Sequence, residues 1–232
     1  MTWAIGEFAT ASARITSRHC DFLAQAGVWH RDALHTSSAT YRVSSGRLDA
    51  MPTKTETYPA RRLVGWSRVW VDPGDGPGLV GAYEPESDGP APAGANSIKA
   101  FIVPVGAADP DTGFWSEIWD LCAFNLASPG RWWLRSGLGD LLGEDHVAAC
   151  AESGAAVRLV ATPLDWLCAR GDAVCVLDWS RVDPRDAFAS CKRIEPASPE
   201  LGRMLKTRLR QLARAHFVIG EPGAAPAETA HA

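Results

Sequence analysis

Residues 155–183 read AAVRLVATPLDWLCARGDAVCVLDWSRVD, and this stretch decides the fold. Residues 157–161 and 173–177 form two near-continuous apolar runs, which are typical of strands covered on both faces. A short helical pattern begins between them at Thr162. The stretch therefore predicts a central β-α-β unit with a compact crossover.

A second strong pattern begins downstream at Ser198. The serine can cap a helix, Pro199 is tolerated in the first turn, and Glu200 complements the helix dipole there. Four leucines then recur on one helical face, at positions 201, 205, 209 and 212. This spacing predicts a C-terminal helix packed through its leucine face.

Upstream of the central unit the patterns are weaker. Residues 5–26 predict one helix that stops at Gly27. Residues 115–135 fit either a helix or a hairpin, and we favour a hairpin of 118–124 with 131–135. The other predictions are strands at 41–47, 63–72, 79–83, 98–105 and 191–194, a glycine-rich turn at 73–78, a loop at 51–60 and a helical turn at 138–143. Pro104 places the strand at 98–105 at an edge or a strand end.

Residues 84–97 (EPESDGPAPAGANS) have the composition of a linker, because they contain little to bury. We therefore predict an N-terminal helix and β-hairpin region at 1–83, the linker, an α/β core domain at 98–219 and a disordered tail at 220–232. The predicted fold class is α/β or α+β, with a small mixed β-sheet, the central β-α-β unit and the packed C-terminal helix.

Composition narrows the class of protein. The chain has 232 residues and a net charge of −4, which opposes wholesale attraction to nucleic acid or an anionic membrane but leaves room for a local basic patch. Its six cysteines include no C-x-x-C pair, and no apolar run is long enough for a spanning helix. The sequence therefore predicts a protein of the reducing cytoplasm without a membrane partner. G-x-G-x-x-G and Walker A motifs are absent, so no nucleotide cofactor is predicted.

Two aspartates are the candidate catalytic residues. Asp165 follows the first central strand and Asp178 ends the second, so both fall where α/β proteins place ligands. Each also has a structural interpretation. Thr162 and Asp165 have the spacing of a capping box, and aspartates such as Asp178 often form turns where strands end.

The order strand, Thr-Pro-Leu-Asp, helix, strand, aspartate resembles the Toprim fold of primases and topoisomerases. In that family the first strand ends in a glutamate, and here Ala161 and Thr162 stand in its place. The later Asp-x-Asp pair is Asp178-Trp179-Ser180 and lacks its second carboxylate. The resemblance is confined to residues 155–183 and implies no active Toprim site, because a two-metal centre needs several carboxylates.

A broader resemblance covers residues 98–217. The segments EIWDLCAF, RWWLRSG, ATPLDWL and VCVLDW look like those of small phage and mobile-element proteins of GC-rich bacteria. No activity is established for those proteins, so the resemblance implies a biological setting and transfers no catalytic residue.

His146 and Cys150 stand four residues apart, as two metal ligands on one helix face would. A zinc site needs about four ligands, and the sequence offers no second pair at such a spacing. We predict no metal site.

The C-terminal helix gives the most concrete indication of a partner. Arg203, Lys206, Arg210 and Arg214 form one basic stripe opposite the leucines, which can follow phosphates or can simply be solvated. We predict a non-catalytic accessory protein of a phage or mobile element that binds protein or nucleic acid. The alternative is a hydrolase or nuclease-like enzyme that uses Asp165 and Asp178.

Overall fold

The computed structural model describes residues 2–28, 38–42, 55–59, 64–71, 81–86, 90–108 and 115–215. Among these residues, two helices come first and strands follow up to residue 134: α1 Thr2–Ala13, α2 Ser17–Gln25, β1 Ser38–Arg42, β2 Thr55–Pro59, β3 Gly65–Val71, β4 Gly81–Pro85, β5 Asn96–Ala108, β6 Trp115–Asn125 and β7 Ser128–Leu134. The second half alternates: β8 Leu141–Leu142, α3 Glu144–Ser153, β9 Val157–Val160, α4 Pro163–Cys168, β10 Val174–Val176, α5 Pro184–Ala187, β11 Ile194–Pro196 and α6 Pro199–Ala215.

The central β-α-β unit is confirmed. Strands β9 and β10 lie side by side and parallel, with Val174 opposite Leu159, and α4 crosses between them. They belong to a four-stranded sheet in the order β11-β9-β10-β8, in which β8 is antiparallel to β10. The α/β or α+β class with a mixed sheet is therefore observed. The helical turn predicted at 138–143 is wrong, because Leu141 and Leu142 pair with the edge of β10.

Both faces of this sheet are covered, which explains the unbroken apolar runs. Val160 and Cys175 on one face pack in a cluster with residues of α2, α4 and the strands β5 to β7. Val157 and Val174 on the other face pack in a second cluster with residues of α3, α5 and α6.

The strands β3 to β7 form a closed barrel in the order β3-β4-β7-β6-β5. The barrel closes where β5 returns antiparallel to β3, and β4 runs parallel to β7. The predicted hairpins of β3 with β4 and of β6 with β7 are confirmed. The closed barrel was not predicted from the sequence.

The segment 84–97 connects two strands of this one barrel. Strands β3 and β4 precede it, and their barrel neighbours β5 and β7 follow it. The domain boundary predicted there therefore falls inside the barrel. Proline, glycine and alanine mark a connection with little to bury, but that composition does not distinguish an interdomain linker from a loop between strands.

All five barrel strands contribute to one interior cluster, which includes Val69, Tyr83, Ile102, Leu121 and Trp133. Helix α1 adds Ala4, Phe8 and Ala11 to the same cluster. Its approach to β3 is close, because a Cβ atom on Gly65 would lie 2.7 Å from the Cβ of Ala11. A glycine at this position thus allows α1 to pack on the barrel.

Strand β5 pairs with two neighbours along different parts of its length. Its pairing with β3 ends at Ile102, so Pro104 faces β6 alone, opposite Leu121. The missing N–H of Pro104 thus removes no bond to β3. Strand β5 has a neighbour on each side in the closed barrel, so the prediction of an edge strand is wrong. Pro104 nevertheless lies just beyond the point where the pairing of β5 with β3 ends.

The N-terminal helix is two helices rather than the one predicted. Helix α1 ends at Ala13, and Thr16 begins α2 with a capping box, in which its backbone N–H donates to Nδ1 of His19 at 3.2 Å. The predicted stop at Gly27 is confirmed by a φ of 93° at that glycine, a conformation that favours residues without a Cβ.

The remaining predictions have mixed outcomes. The loop predicted at 51–60 is wrong at Thr55–Pro59, which pairs with β1. The strand predicted at 191–194 lies slightly later, at Ile194–Pro196, and pairs with β9. The C-terminal helix is confirmed, with Ser198 Oγ accepting the N–H of Leu201 at 3.2 Å. The turn at 73–78 and the tail at 220–232 lie outside the described residues.

Candidate functional site

Asp165 lies in the first turn of α4, at the carboxyl end of β9. Its N–H donates to Thr162 Oγ1 at 3.1 Å, and the Thr162 hydroxyl donates to Asp165 Oδ2 at 2.8 Å. The side chain is exposed, but the carboxylate is engaged in capping the helix. The capping interpretation of this motif is therefore observed.

Asp178 follows β10 and organises a turn. Its Oδ1 accepts the N–H of Ser180 at 2.8 Å and the Ser180 hydroxyl at 2.6 Å. The predicted role of a strand-end turn residue is thus observed as well. Within the described part of the chain, no group of three or more histidine, cysteine or acidic side chains is placed to hold a metal ion.

The turn after β10 is tied to the C-terminal helix. Arg208 of α6 donates from Nη2 to the Ser180 carbonyl at 3.0 Å. Next to this turn, Arg181 forms an ion pair with Asp140 at 3.3 Å. The carboxyl edge of the sheet is therefore a place where a hydrogen bond ties α6 to the turn.

Helix α6 has the two faces that its sequence predicts. Leu201 and Leu205 are buried, and Leu209 packs beside them against the sheet. This apolar face orients the helix, so the opposite face points to solvent.

The solvent face carries the basic stripe. Arg203, Lys206 and Arg210 are all exposed. Arg203 is paired with Glu200 at 2.8 Å, whereas Lys206 and Arg210 have no ion pair or side-chain hydrogen bond to any residue that the structure describes. Arg214 lies in the last turn of the helix, where its side chain is outside the described part of the structure. Two cations without a partner among the described residues thus remain available to an anionic ligand.

His146 and Cys150 meet on α3 as predicted, with 3.4 Å between Nε2 and Sγ. Cys150 is buried, and desolvation raises the pKa of its thiol. The thiol also lies 3.5 Å from the Ala156 carbonyl oxygen, so its contacts are with its own helix and the segment that follows it.

All six cysteines are free thiols. Cys122 and Cys175 are fully buried, and burial raises the pKa of both, so they stay protonated and unreactive at neutral pH. They serve as small apolar side chains, which is the role that their apolar sequence surroundings predict.

No pattern in the sequence indicates the role of Asp120, which is fully buried in β6. Its Oδ1 accepts the N–H groups of Leu121 and Ser136, and its Oδ2 accepts those of Leu138 and Gly139, all at 2.8 Å. Four amide donors compensate for burying the charge. Asp120 thus holds the segment that leads from the barrel to the mixed sheet.

A second polar network joins α1 to the barrel. Tyr83 donates its hydroxyl to Glu7 Oε1 at 3.1 Å, and Arg135 Nε donates to Glu7 Oε2 at 3.2 Å. Burial, followed by the nearby Glu7 carboxylate, raises the pKa of Tyr83 well above its usual value. The tyrosine therefore remains a neutral donor that fixes the position of α1.

Aromatic and basic side chains come together where α2 lies on the barrel. The His19 ring stacks on Trp66 with 4.5 Å between centroids and 19° between planes. On the outer side of α2, the Arg18 guanidinium lies 5.5 Å from the centroid of the Phe22 ring. Residues from two distant segments form this surface, so no local spacing in the sequence indicates it.

A small cleft of about 170 Å³ lies beside β3 and β4, and its lining includes Trp70, Tyr83, Pro92, Ala93 and Ala95. The indole N–H of Trp70 is buried and has no hydrogen-bond partner among the described residues. The cleft would hold a group no larger than a side chain.

No protein-family model, curated protein or solved structure matches this chain. In the part of the chain that the structure describes, no helix has the length and apolar character needed to cross a bilayer.

Proposed function

We propose that this protein binds nucleic acid through the basic face of α6, as a non-catalytic accessory protein. The observation that carries the proposal is the pair of exposed cations Lys206 and Arg210, which have no partner in the described part of the chain and lie on a helix whose opposite face is buried. Arg203, already paired with Glu200, extends the same stripe by one turn.

The geometry suits a phosphate backbone. Residues 203 to 210 span about 10 Å along the axis, because an α-helix rises about 1.5 Å per residue. The cations are therefore arranged in a line, and each phosphate contact releases close to one counterion. The net charge of −4 for the whole chain makes this attraction local to the helix.

The setting is part of the same proposal. The resemblance of residues 98–217 to phage and mobile-element proteins supports such a context, in which nucleic acid is a frequent partner. Six free thiols support a location in a reducing cytoplasm.

The alternative remains a hydrolase or nuclease-like enzyme using Asp165 and Asp178. Its support is their position, since both follow parallel strands at the same edge of the sheet. It is the weaker proposal because each carboxylate is already bonded, to Thr162 and to Ser180 respectively.

The test is a salt titration of DNA binding. A labelled duplex is titrated with the protein between about 50 and 200 mM salt, and the affinity is followed by fluorescence anisotropy. For the double variant Lys206→Gln and Arg210→Gln, we expect weaker binding and a salt slope that is smaller by about 0.9 per lost contact. The apolar face of α6 is unchanged, so the melting temperature should stay the same.

Arg193→Gln is the matched control, because Arg193 is an exposed arginine just before β11 and is paired with Glu195. It removes one positive charge without touching α6. Equal loss of binding in the control and the double variant would refute a specific role for the helix, as would absence of wild-type binding at low salt.

A further inference from the structure

The structure points to a second, separate interaction surface, on α2 and the barrel strands β3 and β5. We propose that it binds a single-stranded nucleic acid by base stacking and phosphate contacts. The aromatic–basic surface, as we call it, consists of Arg18, His19, Phe22, Trp66 and Lys99. It shares no residue with the basic face of α6, so this proposal does not depend on the one above.

The aromatic part is held rigidly. Nδ1 of His19 accepts the N–H of Thr16 at 3.2 Å, and its ring lies on Trp66 and meets the edge of Phe101 at 6.2 Å. Helix α2 is anchored beneath by the fully buried Leu23. Rings fixed in this way lose little conformational entropy when a base stacks on them.

The surface also exposes a ring that the core does not use. Phe22 is 42% exposed, which is unusual for a phenylalanine beside a well-packed cluster. The guanidinium of Arg18 lies over this ring, at 5.5 Å from its centroid. An aromatic face next to an arginine is a combination on which nucleic-acid bases stack irrespective of sequence.

Positive charge lies on the adjoining strand. Lys99 is exposed and has no acidic partner among the described residues, and its carbonyl accepts Asn125 Nδ2 at 2.8 Å, which holds the strand in place. Arg68, opposite Lys99 on β3, is paired with Glu86 at 2.9 Å. Arg18 is adjacent to His19 in the chain, and Lys99 lies two residues from Phe101 on the same face of β5, where the Phe101 ring meets that of His19. Both charges therefore lie near the stacked rings.

One acidic side chain opposes this attraction. Asp21 is exposed on α2, three residues after Arg18 and therefore on a neighbouring part of the same helix face. Its carboxylate should repel phosphates. We therefore expect neutralisation of Asp21 to strengthen nucleic-acid binding, whereas removal of the cations should weaken it.

A single strand fits these features better than a duplex. Stacking requires the face of a base, and in a double helix those faces are covered by neighbouring base pairs. The exposed cations of α6, in contrast, need only phosphates. The two surfaces should therefore differ in their preference for single and double strands.

The experiment compares a short oligothymidylate with a duplex of equal length, using the full-length protein and fluorescence anisotropy at about 50 mM salt. We expect Phe22→Leu, which keeps an apolar side chain, to weaken single-strand binding by at least about fivefold. Lys99→Gln should weaken it and lower the salt slope by about 0.7. Asp21→Asn should strengthen it.

Arg193→Gln is the matched control, because Arg193 is an exposed arginine that belongs to neither surface, and it should leave single-strand binding unchanged. Melting curves identify any variant that has lost its fold, and Phe22 and Asp21 are exposed, so both variants should melt like the wild type. The proposal is overturned if the wild type binds the single strand no better than the duplex, or if Phe22→Leu and Asp21→Asn both bind as the wild type does. If only the α6 variants alter binding, the proposed function stands and this surface does not contribute.

Discussion

Thr162 and Asp165 form two hydrogen bonds with each other at the start of α4. The Asp165 N–H donates to the Thr162 hydroxyl oxygen, and the Thr162 hydroxyl donates to the Asp165 carboxylate. One hydroxyl group thus acts as acceptor and donor within the same turn. The helix that joins the two central strands depends on this pair for its first turn.

Replacing Thr162 with alanine should destabilise the protein by about 1 kcal/mol, because an amide of the first turn loses its partner. Urea unfolding measures the change. Thr162→Ser keeps the hydroxyl and should stay close to the wild type. An unchanged free energy of unfolding, together with loss of nucleic-acid binding, would show that this motif serves a ligand and not the helix.

Val176→Asp should prevent the accumulation of soluble protein. Val176 is buried in β10 within an apolar cluster, where the desolvation of an unpaired carboxylate is costly. The control is Arg158→Asp on the adjacent β9, where the side chain is exposed. A soluble Val176→Asp variant with a cooperative melting transition would contradict the assigned core.

Asp120→Asn should cost on the order of 3 kcal/mol, because the amide keeps one acceptor oxygen and turns its NH₂ group towards backbone donors. Two of the four N–H groups that Asp120 satisfies would then lack an acceptor. Urea denaturation tests this, with the exposed Asp186→Asn as a control. Equal stabilities of the two variants would show that the charge at position 120 is dispensable.

The stability should fall when the pH is lowered through the titration of His19. Burial, with smaller contributions from the Arg18 and Lys99 charges, lowers the pKa of His19 below its usual 6.5. As the pH falls, His19 is protonated in the unfolded chain before it is protonated in the folded protein. The stability that the neutral His19 contributes is therefore complete above pH 6.5 and is lost as the pH falls through the folded-state pKa. Measurements of unfolding on both sides of this range test the sign.

His19→Gln provides the comparison, because glutamine can occupy the same position in a capping box without titrating. Its stability should be lower at neutral pH, through loss of the stack on Trp66, and less dependent on pH. A wild type whose stability rises on acidification in this range would contradict the lowered pKa.

The central β-α-β unit and the C-terminal helix could be predicted, because local sequence patterns specify them. The apolar runs around Leu159 and Val174 indicate strands buried on both faces, and the four-residue spacing of Leu201 and Leu205 fixes the buried side of α6. The basic stripe followed from the same spacing, since the residues opposite a buried face must be solvent-facing.

The barrel could not be predicted in this way. Its closure depends on the pairing of β3 with β5 and of β4 with β7, and such long-range partners leave no periodicity in either strand. Strand β6 contains an extra residue, Trp119, between Ile118 and Asp120, both of which pair with β5. This bulge interrupts the alternation that a strand prediction uses.

The aromatic–basic surface could not be predicted from the sequence for a related reason. His19 and Trp66 lie far apart in the chain and meet only because α2 packs on the barrel. Each residue alone reads as an ordinary member of a helix or a strand. Only the tertiary structure makes them neighbours.

The order of strands in the barrel also has a consequence for synthesis of the chain. When β4 leaves the ribosome it can pair with β3 at once, but its other neighbour, β7, is the last strand of the barrel to be made. Until then one edge of β4 stays open to pairing with other chains. Completion of the barrel must wait for residue 134, so nascent chains stalled before that point should be the form most prone to aggregation and most in need of chaperones.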